Sequence, residues 1–510
     1  MSAATVSLLL PDEAATRRLG EDIAAILKVG DLVLLEGGLG AGKSTLARAL
    51  IRAVANDDAL EVPSPTFTLV QSYPLRLAIA HLDLYRLGDP SELLELGLDE
   101  ALASGAALVE WPERGGDFIQ GDALSIRLDD EGRGRRAILT MPGAWAGRIA
   151  RTLAIRAFLD RSAWPGATRR HLQGDASTRA YERVTLSENA GGHGSSAVLM
   201  NAPARQPGPP LPGGGTYDEV AHRATDVVPF VAMDLAIRAA GFSAPALLAT
   251  DIEDGLLLLE YLGSEGIIRH GEPDFERYAL AAEVLAELHA TRRPSVLPLP
   301  GGGTYRVPPF DAAAFAIEVD LLPRWYAPLV GVTLSADAEA AFAAIWRALF
   351  ARFDRAEKGW LLRDYHSPNL IYLPHRQGTA RIGILDHQDA MIGASAYDVA
   401  SLGQDVRIDI APGFESALKA RYIARRQALG PFDAEAFAAA YAISGAQRAT
   451  KVLGGFARLA SFGKPQYLRH IPRVWGYLRR NFEHAVLSDL ALWYESHVPY
   501  DEAAAPSGSP

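Results

Sequence analysis

Gly37-Gly38-Leu39-Gly40-Ala41-Gly42-Lys43-Ser44 fits the spacing G-x-x-x-x-G-K-[ST]. Glycines at 37, 40 and 42 let successive backbone N–H groups curl around phosphate oxygens, and the helix that follows turns its positive end towards them. Lys43 brings a point charge to the β- and γ-phosphates, the Ser44 hydroxyl is a Mg2+ ligand, and Thr45 continues the first turn beside them. Such a cradle needs a carboxylate at a neighbouring strand end to hold the metal's water shell. Asp83, which closes the run Ala78–Leu82, is the candidate, with a solvated turn residue as the alternative. A second apolar run, Ala107-Leu108-Val109, ends at Glu110-Trp111. There Glu110 could orient an attacking water, and Trp111 could fill core or stack on a base.

A second set lies far along the chain. Arg363-Asp364-Tyr365-His366-Ser367-Pro368-Asn369 fits R-D-x-x-x-x-N, in which the Asp accepts a substrate hydroxyl proton and the Asn ligates Mg2+. Ile382-Gly383-Ile384-Leu385 ends at Asp386, 22 residues after Asp364, which suits a metal-binding carboxylate on a hairpin strand. A glycine-containing loop over ATP is expected at Gly174–Arg183, with Ser177 in it. Leu256–Glu260 should lead to an adenine-binding hinge near Glu260–Leu262. Kinases grip the α/β-phosphates with a strand lysine, yet no lysine occurs between Lys43 and Lys358. Arg179 or Arg183 is the candidate substitute, and an ordinary surface arginine is the alternative.

The elements that must hold these groups follow from length and pattern. The 510 residues imply two to four domains, and 49% hydrophobic with 22% charged residues is globular composition. No cysteine is present, which excludes disulfides, thiolate metal sites and cysteine nucleophiles. Only six of the 50 basic residues are lysine: Lys28, Lys43, Lys358, Lys419, Lys451 and Lys464. A formal charge of −11 argues against a pervasive nucleic-acid-binding surface. No apolar run is long enough to span a bilayer and the first residues lack signal-peptide features, so a cytoplasmic location without membrane contact is expected.

Strands are expected at Leu32–Glu36, Thr66–Tyr73, Ala78–Leu84 and Ala106–Trp111, and a helix from Lys43 to about Ala55. Ala123–Leu128 and Arg136–Met141 should form a hairpin around DDEGRGR. Arg133, Arg135, Arg136 and Arg148 form either a basic patch or a solvated hairpin. Helical spacing resumes after Pro142, which puts a domain boundary near residues 143–152. LPGGGTY occurs at Leu211–Tyr217 and again at Leu299–Tyr305, too short for a solenoid repeat and read as two glycine-rich loops. After Phe310 the chain is alanine-rich and helical, and residues 499–510 are expected to be a disordered tail.

GGLGAGKS, VPSPTFTLV (Val62–Val70), HLDLYRLGDPSELLELGLDE (His81–Glu100) and VEWPE (Val109–Glu113) resemble, in order, the TsaE family of small ATPases. These belong to the bacterial machinery that makes threonylcarbamoyladenosine in tRNA. The resemblance implies ATP and Mg2+ at this site, with Thr66 as a switch residue sensing the metal or the γ-phosphate. It also implies Asp83 as the metal-associated acid and Glu110 as important for hydrolysis. Partners would be the other subunits of that complex, with tRNA met indirectly. Where relatives carry Asp after the first loop glycine, this chain has Gly38.

Residues 150–495 resemble the aminoglycoside-phosphotransferase-like kinases. Within them they are most similar to the anomeric kinases (AmgK) that phosphorylate N-acetylmuramate and N-acetylglucosamine at C1 during cell-wall recycling. GDASTRAYER, VLMNAPA, RWY (Arg324–Tyr326), RDYHSPNLIYL and GILDHQDAMIGASAYDVASL carry the likeness. It implies Asp364 as base, Asn369 and Asp386 as Mg2+ ligands, and ATP as phosphoryl donor. Leu362 replaces the usual His of H-R-D, and His387 the common Phe after the metal Asp. Asp389, His366 and Glu318 are candidate sugar contacts or, alternatively, polar loop and helix-surface residues.

The expected architecture is therefore an α/β P-loop NTPase domain over residues 1–147, followed by an α+β protein-kinase-like (aminoglycoside phosphotransferase) domain over 150–498. The latter would have an N-lobe of about 150–262 and a C-lobe of about 263–498. The expected activities are an ATPase for tRNA threonylcarbamoyladenosine modification and a small-molecule sugar kinase. Another hydroxyl substrate (an amino alcohol or an aminoglycoside) and a non-catalytic ATP-binding scaffold are the alternatives for the second.

Overall fold

A computed structural model describes residues 4–119, 121–172, 179–186, 195–211 and 213–498. Ser177 and the first half of the expected ATP-covering loop, most of the expected turn at 191–196 and the expected tail lie outside these. The chain forms two compact units, Met1–Ala202 with Leu248–Tyr261, and Pro203–Leu247 with Leu262–Pro510.

The first unit holds two sheets. The larger has seven strands, ordered Ala4–Leu10, Gly134–Met141, Ala123–Glu131, Leu32–Glu36, Gly105–Glu110, Ala78–Asp83 and Val70–Tyr73. Its centre is parallel, and Leu32–Glu36 lies between Gly105–Glu110 and Ala123–Glu131. These central strands are near-continuous apolar runs because both their faces are covered. Helices Glu13–Ala24 and Lys43–Ala55 bury Leu19, Ile23, Leu46, Leu50 and Ile51 with Val33 and Leu108. The smaller sheet is a five-stranded ribbon ordered Leu247–Asp251, Leu256–Glu260, Ser196–Asn201, Ala180–Thr185 and Thr168–Leu172.

Helix Gly143–Arg161 serves both cores. Trp145 and Ile149 pack with the larger sheet, while Ile155, Phe158 and Leu159 pack with Val184, Leu199 and Leu258 of the smaller. A buried charge cluster adds to this. Arg169 donates to Asp22 at 2.7 Å, to Thr152 at 2.8 Å and to both oxygens of Glu182 at 2.6 and 2.8 Å. Arg156 also binds Asp22, at 2.6 Å, and Arg170 binds Glu21, at 2.8 Å.

Two strands are shorter than their patterns predict. Residues 66–69 turn, with Leu69 left-handed at φ 62° and its N–H bonded to the Pro65 carbonyl, so the strand begins only at Val70. The next strand stops at Asp83 because its carboxylate caps a short turn by accepting the Tyr85 N–H. The expected hairpin forms, with Glu131 opposite Gly134 across Gly132-Arg133.

The second unit is mainly helical, with Ala312–Val319, Ala336–Phe353 and Ala434–Ser461 supplying the alanine-rich helices. Two antiparallel ribbons, Leu370–Tyr372 with Ile382–Ile384 and Lys358–Leu361 with Met391–Ala394, carry the loops of interest. The two LPGGGTY copies adopt one turn. In each, the Leu N–H bonds the carbonyl four residues on, and the Pro before the Leu pairs with the Thr. Gly214, Gly215, Gly302 and Gly303 all have positive φ, so the glycines impose the turn locally. Among the described residues no helix is long and apolar enough to cross a membrane.

Candidate active sites

The phosphate cradle is built by strand Leu32–Glu36 running into helix Lys43–Ala55. Gly37, Gly40 and Gly42 have φ of 133°, 78° and 105°, a region that other residues adopt only with strain. At Gly37 a Cβ would also lie 2.5 Å from the Leu128 carbonyl oxygen. Gly38 has neither constraint: a Cβ there meets nothing within 4 Å. The missing family carboxylate at that position therefore leaves the cradle's shape intact.

Lys43 is 4% exposed and bends back over its own loop, donating to the carbonyls of Gly37 at 2.6 Å and Gly38 at 2.8 Å. Burial lowers its pKa, while Glu110, Glu113 and Asp83 pull the other way. Trp111 lies beside it with the ammonium 3.7 Å from a ring centroid, and it packs on Tyr85 at 5.0 Å. Trp111 is thus a half-buried lid on Lys43, a role outside both sequence readings.

Asp83 and Glu110 end adjacent parallel strands in register, which puts the two carboxylates side by side. Asp83 Oδ2 accepts from Ser64 at 2.7 Å and Thr66 at 2.9 Å. Glu110 Oε2 accepts from Ser44 at 2.9 Å, and its Oε1 meets His81 at 2.9 Å. Lys43, Ser44, Thr66, Asp83, Glu110 and Trp111 therefore converge, with Thr45 half-buried in the same helix turn. Hydroxyl and carboxylate oxygens are the donors a hard divalent cation takes, so Ser44, Thr66 and Asp83 fit Mg2+. Sequence reading missed Ser64 and His81. The only signal for His81 was a histidine inside an otherwise apolar strand.

The suggested basic patch does not form. Arg135 donates to the loop carbonyls of Gly40 and Ala41, Arg136 pairs with Glu131, and Arg148 pairs with Asp31 at 2.6 Å.

In the second unit the candidate catalytic loop is held from beneath. Asp398 accepts the N–H groups of Leu362 at 2.6 Å and Arg363 at 2.9 Å. Burial pushes the Asp398 pKa up to about 7 against these two donors. Arg363 is left-handed at φ 67°, and its guanidinium pairs with Glu318 and donates to the Ala221 carbonyl at 3.0 Å. Asp364 then stands half-exposed. Burial opposes its ionisation, but His366, Lys451, Arg363 and Arg448 outweigh that and hold its pKa down at about 2.

Asn369 Nδ2 donates to the Asp364 carbonyl at 2.9 Å and reaches Asp386 Oδ2 at 3.4 Å. Gln388 donates to Asp386 Oδ1 at 2.8 Å. Asp364, Asn369 and Asp386 are therefore one constellation. The Asn369 amide oxygen and the Asp386 carboxylate are again hard donors that fit Mg2+.

Both departures from the kinase pattern are buried side chains. Leu362 is core, and His387 is fully buried, stacked on Phe230 at 4.6 Å with its Nε2 3.6 Å from the buried Asp234 carboxylate, while burial holds its pKa down near 4. Of the three candidate sugar contacts, Glu318 is fully buried, accepting from Gln447 at 2.8 Å and Lys451 at 2.7 Å. It is an internal counter-ion rather than a helix-surface residue. Asp389 accepts the Ala224 N–H at 2.7 Å, and buried His366 lies 3.0 Å from Arg407.

Arg183 and Glu260 lie in the five-stranded sheet of the first unit, and Arg179 immediately precedes its strand Ala180–Thr185. Arg183 is exposed and stacks over Tyr261 at 4.6 Å, Arg179 is half-buried, and Glu260 closes its strand opposite Ala197.

Residues 10–138 match the family described as threonylcarbamoyl adenosine biosynthesis protein TsaE, and residues 168–434 match the phosphotransferase enzyme family. The chain is 35% identical over 364 residues to an N-acetylmuramate/N-acetylglucosamine kinase of Caulobacter vibrioides, covering 69% of this chain and 98% of that one. A Pseudomonas putida protein of the same name is 31% identical over 309 residues, 60% of this chain and 80% of its own. A TsaE protein of Rickettsia felis is 38% identical over 136 residues, 26% of this chain and 79% of its own.

Proposed function

Because the chain belongs to the phosphotransferase enzyme family and carries a TsaE-family ATPase segment ahead of it, we propose that it is a bifunctional cytoplasmic enzyme. Residues 1–147 act as the ATPase subunit of tRNA threonylcarbamoyladenosine modification, in complex with the other subunits of that pathway. Residues 150–498 transfer the γ-phosphoryl group of ATP to C1 of N-acetylmuramate or N-acetylglucosamine, the sugars named for its kinase relatives.

The observation that carries the kinase reading is the single loop in which Asn369 ties the Asp364 backbone towards the Asp386 carboxylate. Asp364 accepts the anomeric hydroxyl proton. That hydroxyl is more acidic than an ordinary alcohol, so a carboxylate base suffices, and the cations around Asp364 keep it ionised and able to accept the proton. Arg363 and Asp398 fix the loop so that little reorganisation is needed at the moment of transfer. Asn369 and Asp386 would hold Mg2+, which neutralises phosphate charge when bound. Arg179 or Arg183 takes the place of the absent strand lysine, with Glu260 at the adenine hinge.

In the ATPase half, the glycine loop and Lys43 bind the phosphates, and Ser44, Thr66 and Asp83 would hold Mg2+. Glu110 accepts a hydrogen bond from the Ser44 hydroxyl at 2.9 Å, which would leave the hydroxyl oxygen's lone pairs free for the metal.

Incubating the full chain with ATP and either amino sugar should give an anomeric phosphate signal in the phosphorus NMR spectrum. Asp364→Asn should lower that rate by about 10^2–10^4, the usual contribution of a general base. No turnover of either sugar would refute the kinase reading. Rescue of a strain depleted of its TsaE protein should require Lys43, and rescue by Lys43→Ala would count against the ATPase reading.

A further inference from the structure

The mechanism above leaves one face of helix Ala434–Ser461 unexplained. At 3.6 residues per turn, Arg448, Lys451, Gly455 and Arg458 share a face. Its N-terminal part belongs to the catalytic loop, since Arg448 donates to the Arg363 carbonyl at 3.0 Å and Lys451 neutralises Glu318. Gly455, next on that face, has nothing within 4 Å of where a Cβ would be, so the helix surface is open there.

Arg458 stands beyond that gap. Its guanidinium lies near two rings, 5.4 Å from the Tyr217 centroid and 5.9 Å from that of Phe462. Among the described residues no carboxylate pairs with it. This contrasts with the Arg363, Lys451 and Arg473 side chains of the same unit, each of which has an acidic partner. Phe462, 67% exposed, in turn meets the half-buried Trp325 at 6.0 Å. A cation fixed over aromatic rings loses little entropy on binding, and its planar fork matches a carboxylate.

We propose that Arg458 is a specificity-determining residue that binds a carboxylate on the acceptor sugar, remote from the hydroxyl that Asp364 deprotonates, with Gly455 leaving the room between them. Tyr217, against which Arg458 rests, also feels the charges of Lys451 and Arg363, so the guanidinium stands beside the loop that carries Asp364 rather than away from it. The inference rests on the amino-sugar kinase reading. It adds that the acidic sugar, N-acetylmuramate, is favoured over the neutral N-acetylglucosamine.

The test is the ratio of kcat/KM for N-acetylmuramate to that for N-acetylglucosamine, measured on the full chain. Arg458→Met should lower this ratio about ten- to hundredfold, the loss expected for a charged hydrogen-bonded pair, chiefly through KM for N-acetylmuramate. Arg458→Lys, which keeps the charge but not the fork, should give an intermediate ratio. A ratio unchanged in both variants overturns this inference while leaving the kinase reading in place. Absence of turnover of both sugars by the unsubstituted chain overturns both.

Discussion

Arg169, 2% exposed, on the outer strand of the five-stranded sheet, donates at 2.7 Å to Asp22, on a helix packed against the phosphate-cradle helix. The guanidinium also holds Glu182, so two carboxylates raise its pKa although burial alone would lower it. The seven-stranded sheet and the first strands of the kinase-like segment are thus joined by buried, paired charges. Breaking a buried pair by removing one partner strands the other.

Asp22→Ala should therefore destabilise the first unit by about 3–5 kcal/mol, the usual cost of orphaning a buried charge. Denaturant unfolding of the full chain reads this directly. A fragment beginning at residue 150 should meet the same difficulty, since it keeps Arg156 and Arg169 and lacks Asp22. A fragment as stable as the corresponding part of the full chain would refute the structural role given to this cluster.

Two neighbouring glycines should behave oppositely. Gly38→Asp places its side chain in open space without a positive φ, so stability should change by less than about 0.5 kcal/mol, as for ordinary surface changes. Gly37→Ala puts a methyl 2.5 Å from the Leu128 carbonyl at a φ of 133° and should abolish tight ATP binding. Nucleotide titration of both variants checks this, and equal affinities would contradict the cradle geometry.

Lys43 rests on loop carbonyls and on the Trp111 ring, so phosphate must draw it away from both. ATP should change tryptophan fluorescence, and Trp111→Phe should abolish most of that change. Phenylalanine has a weaker π face than tryptophan, so the variant loosens a cation–π contact worth about 0.5–2 kcal/mol and should bind ATP as well as or slightly better than the parent. Markedly weaker binding would mean instead that Trp111 contacts the nucleotide.

Asp398 supplies a pH signature. Its folded pKa of about 7 lies above the ordinary carboxyl value of 3.8, so between these pH values the folded chain holds a proton that the unfolded chain has released. Its contribution to stability should fall as pH rises through that window and level off above it. Asp364 acts with the opposite sign and lower down: its depressed pKa of about 2 adds stability above pH 3.8 that is lost on acidification. Asp398→Asn should flatten the slope between pH 4 and 7. It should also cost about 1–3 kcal/mol, because the amide cannot accept both N–H groups of the catalytic loop. An unchanged slope would show that Asp398 stays ionised throughout.

The sequence by itself determined what short stretches of backbone dictate. Gly37–Ser44 with its strand and helix, the Asp364–Asn369 spacing and the twofold LPGGGTY turn follow from contacts within a few residues, where glycine and capping chemistry act directly. The side chains that support these sites meet across long separations and were not legible in this way. Glu318 looked like a helix-surface residue until the fold brought Arg363, Gln447 and Lys451 around it. His81 and Glu110 come from different strands, and Trp111 covers a lysine 68 positions earlier. Above all, Arg169 reads as one more arginine among many in a charged strand. Only tertiary packing removed it from water, and a charge removed from water must find its counter-ions wherever the chain supplies them, here in Asp22 and Glu182.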